Sequence, residues 1–130
     1  MIVLDTSAVI AILLDEPERL EMRGVIARAD QCIISAASRV EMSLVMEGRK
    51  GPSGRFGLEA LLADTGAEIV AVTPAHAEIA IEAFRRFGRG RHKAALNMGD
   101  CFSYALAKAL DVPLLFKGDG FSQTDLKVAG

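Results

Sequence analysis

The sequence predicts an α/β fold in which a central parallel sheet is covered on both faces by helices. Short runs of branched apolar residues, such as residues 2–4, are typical of strands that are buried on both faces. Longer helix-like segments separate these runs, and strands that alternate with helices of this length form parallel sheets. Carboxylates follow the first and the last strand-like runs, at Asp5 and Asp119, where functional groups collect in such sheets.

Composition limits the organisation of the chain. A sequence of 130 residues, 51% of them hydrophobic, has enough apolar content for one core, so residues 1–130 are expected to form a single domain. No basic region precedes the first apolar run and no apolar stretch reaches the length of a membrane span, which predicts a soluble cytoplasmic protein with no membrane partner. Cys32 and Cys101 are far apart and are expected to be buried free thiols, not a disulfide or a zinc site.

Local signals mark the elements in the first half of the chain. Pro17 suits the first position of a helix, and Gly48 ends the helix that follows the second strand. The glycine-rich residues 48–54 are expected to form an exposed connection. The sequence predicts strands at residues 1–5 and 31–35, and helices at residues 7–14, 17–29, 36–47 and 54–64.

The second half continues the alternation of strands and helices. Its clearest helix start is at Thr73, which supplies a capping hydroxyl, followed by Pro74 at the first helical position. The sequence predicts strands at residues 68–72 and 113–116, and helices at residues 74–87 and 98–110. The predicted sheet therefore has at least four strands.

Glu41 stands out because it lies on the apolar side of a predicted helix. At about 100° per residue, one face of this helix carries Ala37, Glu41, Leu44 and Val45, and the opposite face carries Arg39, Ser43 and Glu47. A buried carboxylate is costly unless it is paired, protonated or bound to a metal ion. An ion pair with Arg23 or Arg28 is one explanation, and a functional site shared with other acids is the one we favour.

Three further acids suggest such a shared site. Asp5 and Asp119 follow strands, and Asp100 lies in the first turn of a predicted helix. Two of them have a simpler explanation as well, since Asp5 suits a helix cap and the helix dipole favours Asp100. Crowded carboxylates repel one another unless a divalent cation with oxygen ligands neutralises them. Because there is no cysteine or histidine cluster to suit zinc, Mg²⁺ or Mn²⁺ is the expected ion.

Basic residues cluster in one segment, although the net charge of −2 gives no overall nucleic-acid signature. Residues 85–93 contain no acid and carry Arg85, Arg86, Arg89, Arg91, His92 and Lys93. One interpretation is a solvated loop whose arginines favour the negative end of the preceding helix. The other is a flexible loop, containing Gly88 and Gly90, that follows a phosphate backbone.

Four motifs in a fixed order give the sequence a family resemblance. They are Leu4-Asp5-Thr6-Ser7-Ala8, Val40-Glu41, Leu96-Asn97-x-Gly99-Asp100-Cys101-Phe102 and Leu114-Leu115-Phe116-Lys117-Gly118-Asp119. Each motif is weak alone, but the four together are specific and span residues 1 to about 125. The sequence resembles the PIN-domain ribonucleases, and among them the VapC-type toxins of type II toxin–antitoxin (VapBC) systems.

The resemblance implies a three-layer PIN-like domain with a central parallel sheet of four or five strands. It also implies an acidic pocket that binds one or two Mg²⁺ or Mn²⁺ ions, with Asp5, Glu41 and Asp100 matching the core acids and Thr6 matching a hydroxyl that supports them. A homodimer and a VapB-type antitoxin partner are implied in the same way.

The chain departs from the family pattern at one position near the last strand. Relatives commonly carry an acid where this chain has Gly120. This leaves Asp119 and Asp125 as candidates for the fourth acid, and we assign the role to Asp119.

We therefore expect a metal-dependent endoribonuclease. Asp5 and Asp100 would hold the ion directly, Asp119 would assist, and Glu41 would bind through water or orient the attacking water. The side chains expected to hydrogen-bond the acids are Thr6 and Asn97, and those expected to contact the RNA backbone are Arg89, Arg91 and Lys93.

Two other functions compete with this one. A receiver-type signalling domain is also a small α/β unit with Mg²⁺ and a lysine after its last strand, a position that Lys117 fits. Such a domain needs adjacent acids after its first strand, however, whereas Asp5 is followed by Thr6 and Ser7. The second competitor is a non-catalytic PIN-like interaction domain, which Gly120 keeps open.

Overall fold

The computed structural model describes residues 1–130 and contains four strands, five α-helices and one short 3₁₀ helix. In chain order these are β1 Ile2–Leu4, α1 Thr6–Leu13, α2 Arg19–Arg28, β2 Cys32–Ser35, α3 Ala36–Thr65, β3 Glu68–Val70, α4 Pro74–Phe87, α5 Met98–Leu110, β4 Leu114–Leu115 and the 3₁₀ helix Phe121–Gln123. None of the helices combines the length and the apolar character needed to cross a membrane.

The four strands form one parallel sheet in the order β3-β2-β1-β4, which confirms the predicted fold class. In the central strand, Val3 lies opposite Ile33 of β2 and Leu114 of β4. A single parallel bridge between Leu114 and Val128 adds a fifth chain segment beside β4, but this segment is not a full strand. β3 ends two residues earlier than predicted, and β4 lacks one predicted residue at each end, because ladder pairing does not extend to these residues.

Alternate residues of the central strands face two separate cores, as expected for strands buried on both faces. Ile2 and Leu4 pack with α1, α2 and α3, whereas Val3 packs with α4 and α5. The domain therefore has three layers, with the sheet in the middle. Cys32 and Cys101 are buried free thiols on opposite sides of the sheet, as predicted.

The connection predicted at residues 48–54 is wrong, although most of these residues are exposed as expected. The helix continues through Lys50, breaks at one residue and resumes at once, so that residues 36–65 form a single kinked element. The break is at Gly51, whose φ of 59° and ψ of −142° are accessible to glycine at little cost. Pro52 follows and suits the first position of the second half of the helix. Sequence signals that usually separate two helices here only bend one.

The predicted phase of α3 is also wrong, by about one residue. The buried residues along its first half are Ser38, Met42 and Met46, spaced four apart, while Leu44 is 66% exposed. The two methionines fill the core beside α1, so Glu41 lies at the edge of the buried face and is half-buried. Glu41 is thus a rim residue whose side chain can reach the end of the sheet without being enclosed in the core.

Candidate active site

Asp5 lies at the carboxyl end of β1 and is 2% exposed. Its Oδ2 accepts hydrogen bonds from the Ser7 backbone N–H at 3.0 Å and from the Ser7 hydroxyl at 2.6 Å. Its Oδ1 accepts a hydrogen bond from the Ser103 hydroxyl at 2.6 Å. Asp5 is therefore the N-cap of α1, as the simpler interpretation required, but capping accounts for only one of its three hydrogen bonds. A carboxylate has about four lone-pair sites, so one remains free.

Two hydrogen bonds donated by backbone N–H groups join the ends of β1 and β4 at this point. The Asp5 N–H donates to the Leu115 carbonyl oxygen at 3.0 Å, and the Lys117 N–H donates to the Ser7 hydroxyl at 3.0 Å. The Lys117 side chain points elsewhere, because its ammonium group is paired with Glu16 and lies 3.6 Å from Glu18. The chain after β4 therefore supports the Asp5 site through its backbone.

Asp100 lies in the first turn of α5, where it forms a capping box with Asn97. The Asn97 N–H donates to Asp100 Oδ2 at 2.9 Å, and the Asp100 N–H donates to Asn97 Oδ1 at 2.8 Å. These reciprocal bonds satisfy two helix-end donors and fix the direction of the Asp100 side chain. Asn97 thus contacts one of the predicted acids directly.

Burial raises the pKa of Asp100 to about 6. The hydrogen bond from Asn97 opposes this rise, the negative charges of Asp5 and Glu41 add to it, and the positive charge of Arg89 again opposes it. The three acids are therefore close enough to interact electrostatically, as like charges at a shared site do.

Glu41 lies against the first turn of α5. A Cβ atom at Gly99 would overlap the Glu41 carboxylate in its present position, so a larger residue there would require the end of the Glu41 side chain to shift. Glu41 takes part in no ion pair, and the alternative pairing with Arg23 or Arg28 is wrong. Arg39, the basic residue of α3 nearest to Glu41 in sequence, instead pairs with Glu59 at 2.8 Å.

The two candidates for the fourth acid have different surroundings. The Asp119 side chain is exposed, and only its backbone carbonyl is engaged, by the Ser122 hydroxyl at 2.8 Å and the Gln123 side-chain amide at 3.3 Å. Asp125 accepts hydrogen bonds from the Tyr104 hydroxyl at 2.6 Å and the Lys108 ammonium at 2.9 Å. Asp125 is therefore committed to a contact with α5, whereas the Asp119 carboxylate is free to bind a ligand.

The Asp125 contact also shifts the pKa values of both partners. Burial acts to raise the pKa of Asp125, but the hydrogen bonds from Tyr104 and Lys108 outweigh it and hold that pKa below its usual range. Burial and the hydrogen bond to Asp125 raise the pKa of Tyr104. These shifts belong to a structural contact between α5 and the carboxyl-terminal segment.

Thr6 differs from its predicted role. Its buried hydroxyl donates to the Ser38 carbonyl oxygen at 3.4 Å and hydrogen-bonds none of the acids, because the start of α3 lies directly beside it. The hydroxyls that bond Asp5 belong to Ser7 and Ser103. Ser103 was missed by sequence reasoning, although its position three residues after Asp100 puts both side chains on one face of α5.

The basic segment is a closed turn and not the open, flexible loop that its glycines suggested. The Arg89 N–H donates to the Leu96 carbonyl oxygen at 2.9 Å, and the Leu96 N–H donates to the Phe87 carbonyl oxygen at 2.9 Å. Arg91 lies over the Phe84 ring at 5.7 Å. The exposed basic side chains of this turn are Arg89, Arg91 and Lys93. Arg89 is near enough to the acids for its charge to act on Asp100.

The chemistry of these groups fits a hard divalent cation. The nearby ligand atoms are carboxylate oxygens, which such cations prefer. Burial is the main cause of the raised pKa of Asp100, and the charges of Asp5 and Glu41 add to it. No three His, Cys, Asp or Glu side chains form a ready-made ligand cluster. Mg²⁺ usually binds proteins through only one or two carboxylates and keeps several water ligands, so a looser arrangement suits it.

Comparisons with known proteins agree with this fold. The family model for the PIN domain matches residues 2–127. Ribonuclease VapC of Mycolicibacterium smegmatis is 47% identical over 124 residues, which cover 95% of this chain and 96% of that protein. VapC20 of Mycobacterium tuberculosis, a sarcin–ricin loop cleaving toxin, superposes over the whole of both chains with a TM-score of 0.81 at 17% identity. A toxin–antitoxin complex from Klebsiella pneumoniae gives a TM-score of 0.70 at 18% identity, covering 96% of this chain and 93% of that one.

The raised pKa of Asp100 leads to a prediction about stability. Because its folded-state pKa of about 6 lies above the ordinary value of 3.8, the folded protein binds this proton more tightly than the unfolded chain. The free energy of unfolding therefore falls as the pH rises through this interval. Asp100→Asn removes the penalty and keeps an acceptor for the Asn97 N–H. We expect it to gain about 1 kcal/mol over the parent at pH 7.5, after allowance for solvent screening, and little at pH 4.

Thermal unfolding in excess chelator at both pH values measures this effect, with Asp64→Asn as the matched control at an exposed acid outside the pocket. A difference of about 1 kcal/mol corresponds to a few degrees in Tm. Equal melting temperatures of Asp100→Asn and the parent at pH 7.5 would contradict the predicted charge crowding.

Proposed function

The chain belongs to the VapC ribonucleases of the PIN-domain family, and from that membership we propose that it hydrolyses RNA at the pocket around Asp5, Glu41 and Asp100 with the help of Mg²⁺ or Mn²⁺. VapC ribonucleases of this family generally depend on a divalent metal ion. The observation that carries the proposal is the position of the three acids around the start of α5: Asp5 is hydrogen-bonded to Ser103 of α5, Asp100 lies in its first turn, and the Glu41 carboxylate lies against Gly99.

Each residue of the pocket has a defined part in the proposed reaction. Asp5 and Asp100 would hold the ion, with Asp119 assisting from the segment after β4. When bound, the ion supplies a water molecule of lowered pKa and offsets negative charge on the phosphate. Glu41, held against Gly99, would orient the attacking water. Asn97 keeps Asp100 directed by accepting and donating hydrogen bonds at the start of α5.

The proposed RNA contacts are Arg89, Arg91 and Lys93. All three are exposed on one turn, which is closed by hydrogen bonds to Leu96, two residues before the start of α5. Arg89 stands near the acids, so a phosphate bound there would lie close to the pocket. Cationic side chains on a fixed turn bind the backbone of RNA without reading its bases.

The partners of the chain are proposed from its relatives and from its surface. Membership of the VapC ribonucleases supports a toxin role with a VapB-type antitoxin as inhibitor, and the same fold recurs in the Klebsiella pneumoniae toxin–antitoxin complex. We place this role in the cytoplasm. Val40 and Leu44 form an exposed apolar patch on α3, and Ile81, Phe84 and Met98 expose apolar surface on α4 and α5. Exposed apolar patches mark protein interaction sites, so two such faces accommodate both an antitoxin and a second copy in a homodimer.

The competing functions fare differently. A receiver-type signalling domain is ruled out because the chain belongs to the PIN-domain family. In addition, Lys117 forms an ion pair with Glu16 and does not face the acids of the pocket. A non-catalytic PIN-like domain is kept open by Gly120, at the position where the family pattern carries an acid. Direct assay of RNA cleavage separates this candidate from the proposed enzyme.

The proposed mechanism predicts how cleavage depends on metal and what ends it leaves. We expect the purified chain to cut RNA with Mg²⁺ or Mn²⁺ and to stop in excess chelator. It should leave 5′ phosphates, because the nucleophile would be a water molecule, whose pKa the bound ion would lower, and not the ribose 2′ hydroxyl. Asp5→Asn and Asp100→Asn should lose at least a hundredfold in rate, while Asp64→Asn keeps it. End-group analysis of the fragments provides the measurement. Cyclic phosphate ends, or cleavage that persists in chelator, would overturn the mechanism.

The role of Glu41 predicts a loss of activity from an added methyl group. Gly99→Ala would force the end of the flexible Glu41 side chain out of the pocket, so we expect at least a tenfold lower cleavage rate with an unchanged or slightly higher Tm. The control is Gly48→Ala, which lies within α3 with nothing within 4 Å of the added atom and should keep full activity. A fully active Gly99→Ala would argue against a catalytic part for Glu41.

The basic turn predicts a change in salt dependence. Replacing Arg89 and Arg91 by Gln should weaken binding of all RNA sequences similarly and reduce the slope of log Kd against log salt by about 0.7 per lost contact. Titrations of fluorescent single-stranded RNA in chelator, which prevents cleavage, give the slope. Arg49→Gln, at an exposed position of α3, serves as the control. An unchanged slope would leave the turn as an ordinary solvated surface.

A further inference from the structure

Two buried serines join the helices that carry Glu41 and Asp100. Ser38 lies three residues before Glu41 on α3, and Ser103 lies three residues after Asp100 on α5. Side chains three residues apart share a helix face, so each serine lies beside the acid of its own helix. Their hydroxyl oxygens are 3.1 Å apart, with exposures of 1% and 0%. The pair is therefore a direct polar link between α3 and α5 below the pocket.

The direction of the hydrogen bonds in this link follows from the proton count. An ionised carboxylate only accepts, so the single hydroxyl proton of Ser103 goes to Asp5 Oδ1. The Ser103 oxygen must then accept from the Ser38 hydroxyl. The other oxygen of Asp5 ends a similar chain, in which the Lys117 N–H donates to the Ser7 hydroxyl and Ser7 donates to Oδ2. Donors arranged in series polarise one another and strengthen each bond.

Two buried hydroxyls cost free energy in a hydrophobic core, but they can orient the groups of a functional site. Ser103 stands in an otherwise apolar part of α5, between Phe102 and Tyr104, and burying a hydroxyl there requires a partner to offset its lost hydration. Alanine at both serine positions would avoid that cost but would leave Asp5 Oδ1 without its donor. Neither hydroxyl can touch substrate, because both are enclosed. Their contribution is therefore indirect, through the hydrogen bond to Asp5 and through the contact between α3 and α5.

We infer that Ser38 and Ser103 are positioning residues for the metal pocket: the pair fixes the Asp5 carboxylate and sets α3 against α5, so that Asp5, Glu41 and Asp100 are presented together to one divalent cation. Ser103 acts on Asp5 directly, and Ser38 acts through Ser103. This inference rests on the proposed function. Groups that hydrogen-bond metal ligands typically change metal affinity by 10- to 100-fold when they are removed.

The test is Mn²⁺ binding to the full chain, measured by titration calorimetry and by the electron spin resonance of free Mn²⁺. We expect Ser103→Ala to raise the Kd for Mn²⁺ by about 10- to 100-fold, and Ser38→Ala to raise it by a smaller factor. The matched control is Ser43→Ala on α3, whose hydroxyl contacts Arg39 only and which should bind like the parent. Melting in chelator monitors any general loss of structure.

The outcomes separate positioning from packing and from failure of the proposed function. Weaker Mn²⁺ binding by Ser103→Ala, with a Tm in chelator near that of the parent, supports the inference. If Ser103→Ala and Ser38→Ala bind Mn²⁺ as tightly as a parent that itself binds, the inference is overturned and the proposed function stands. If Ser103→Ala weakens binding only in proportion to a large fall in Tm, the serines are packing residues and the inference is again overturned. A parent that binds no Mn²⁺ overturns the proposed function together with the inference.

Discussion

The buried carboxylate of Asp5, together with the hydrogen bonds that satisfy it, constrains the elements around the carboxyl end of the sheet. A carboxylate enclosed in a core is costly unless donors replace its lost hydration. Ser7 provides two donors only if α1 begins immediately after β1, and Ser103 provides the third only if α5 packs with that face inward. The end of β4 is held as well, because the Lys117 N–H donates to Ser7. The hydrogen bonds of the Asp5 side chain thus depend on the strand order, on where α1 begins and on how α5 is rotated about its axis.

The negative charges at this end of the sheet favour cation binding and lower the stability of the protein without a bound ion. Burial and the proximity of Asp5 and Glu41 raise the pKa of Asp100, while its capping box and the charge of Arg89 only partly compensate. Active sites commonly hold such unfavourable arrangements because the ligand relieves them. The cation proposed for this pocket would do so by its own charge, and the basic turn would extend the positive field toward a bound phosphate backbone.

Helix α3 shows how the same element serves the core and the pocket. Its methionines, Met42 and Met46, pack against α1, which leaves Glu41 at the rim with its carboxylate against Gly99. A Glu41 that pointed fully inward would have been enclosed among apolar side chains and unable to reach Asp100. The apolar residues Val40 and Leu44 are instead on the outside of α3, where they are available to a partner.

The sequence by itself determined the parallel sheet, the order of its elements and the acids at the strand and helix ends, because these follow from periodicity and from local rules for caps and strand ends. Asp5 and Asp100 were both recognisable from their place beside such ends. The phase of α3 was not, since the stripe of Ser38, Met42 and Met46 competes with an almost equally apolar stripe one residue away. The break at residues 48–54 was misread for a related reason, because Gly51 and Pro52 can separate two helices or bend one, and packing against α1 decides between them.

Only the tertiary structure decided which hydroxyls hold the acids. Ser103 is 98 residues from Asp5, so no local pattern connects them, and the donor expected from the adjacent motif, Thr6, turns instead to the Ser38 carbonyl. The role of Gly99 likewise depends on α3, which places the sequence-distant Glu41 against it. Short-range sequence signals fix where an element begins and which residue types lie near a strand end. The contacts between distant elements depend on how those elements pack, and it is these contacts that turn separate acids into a site.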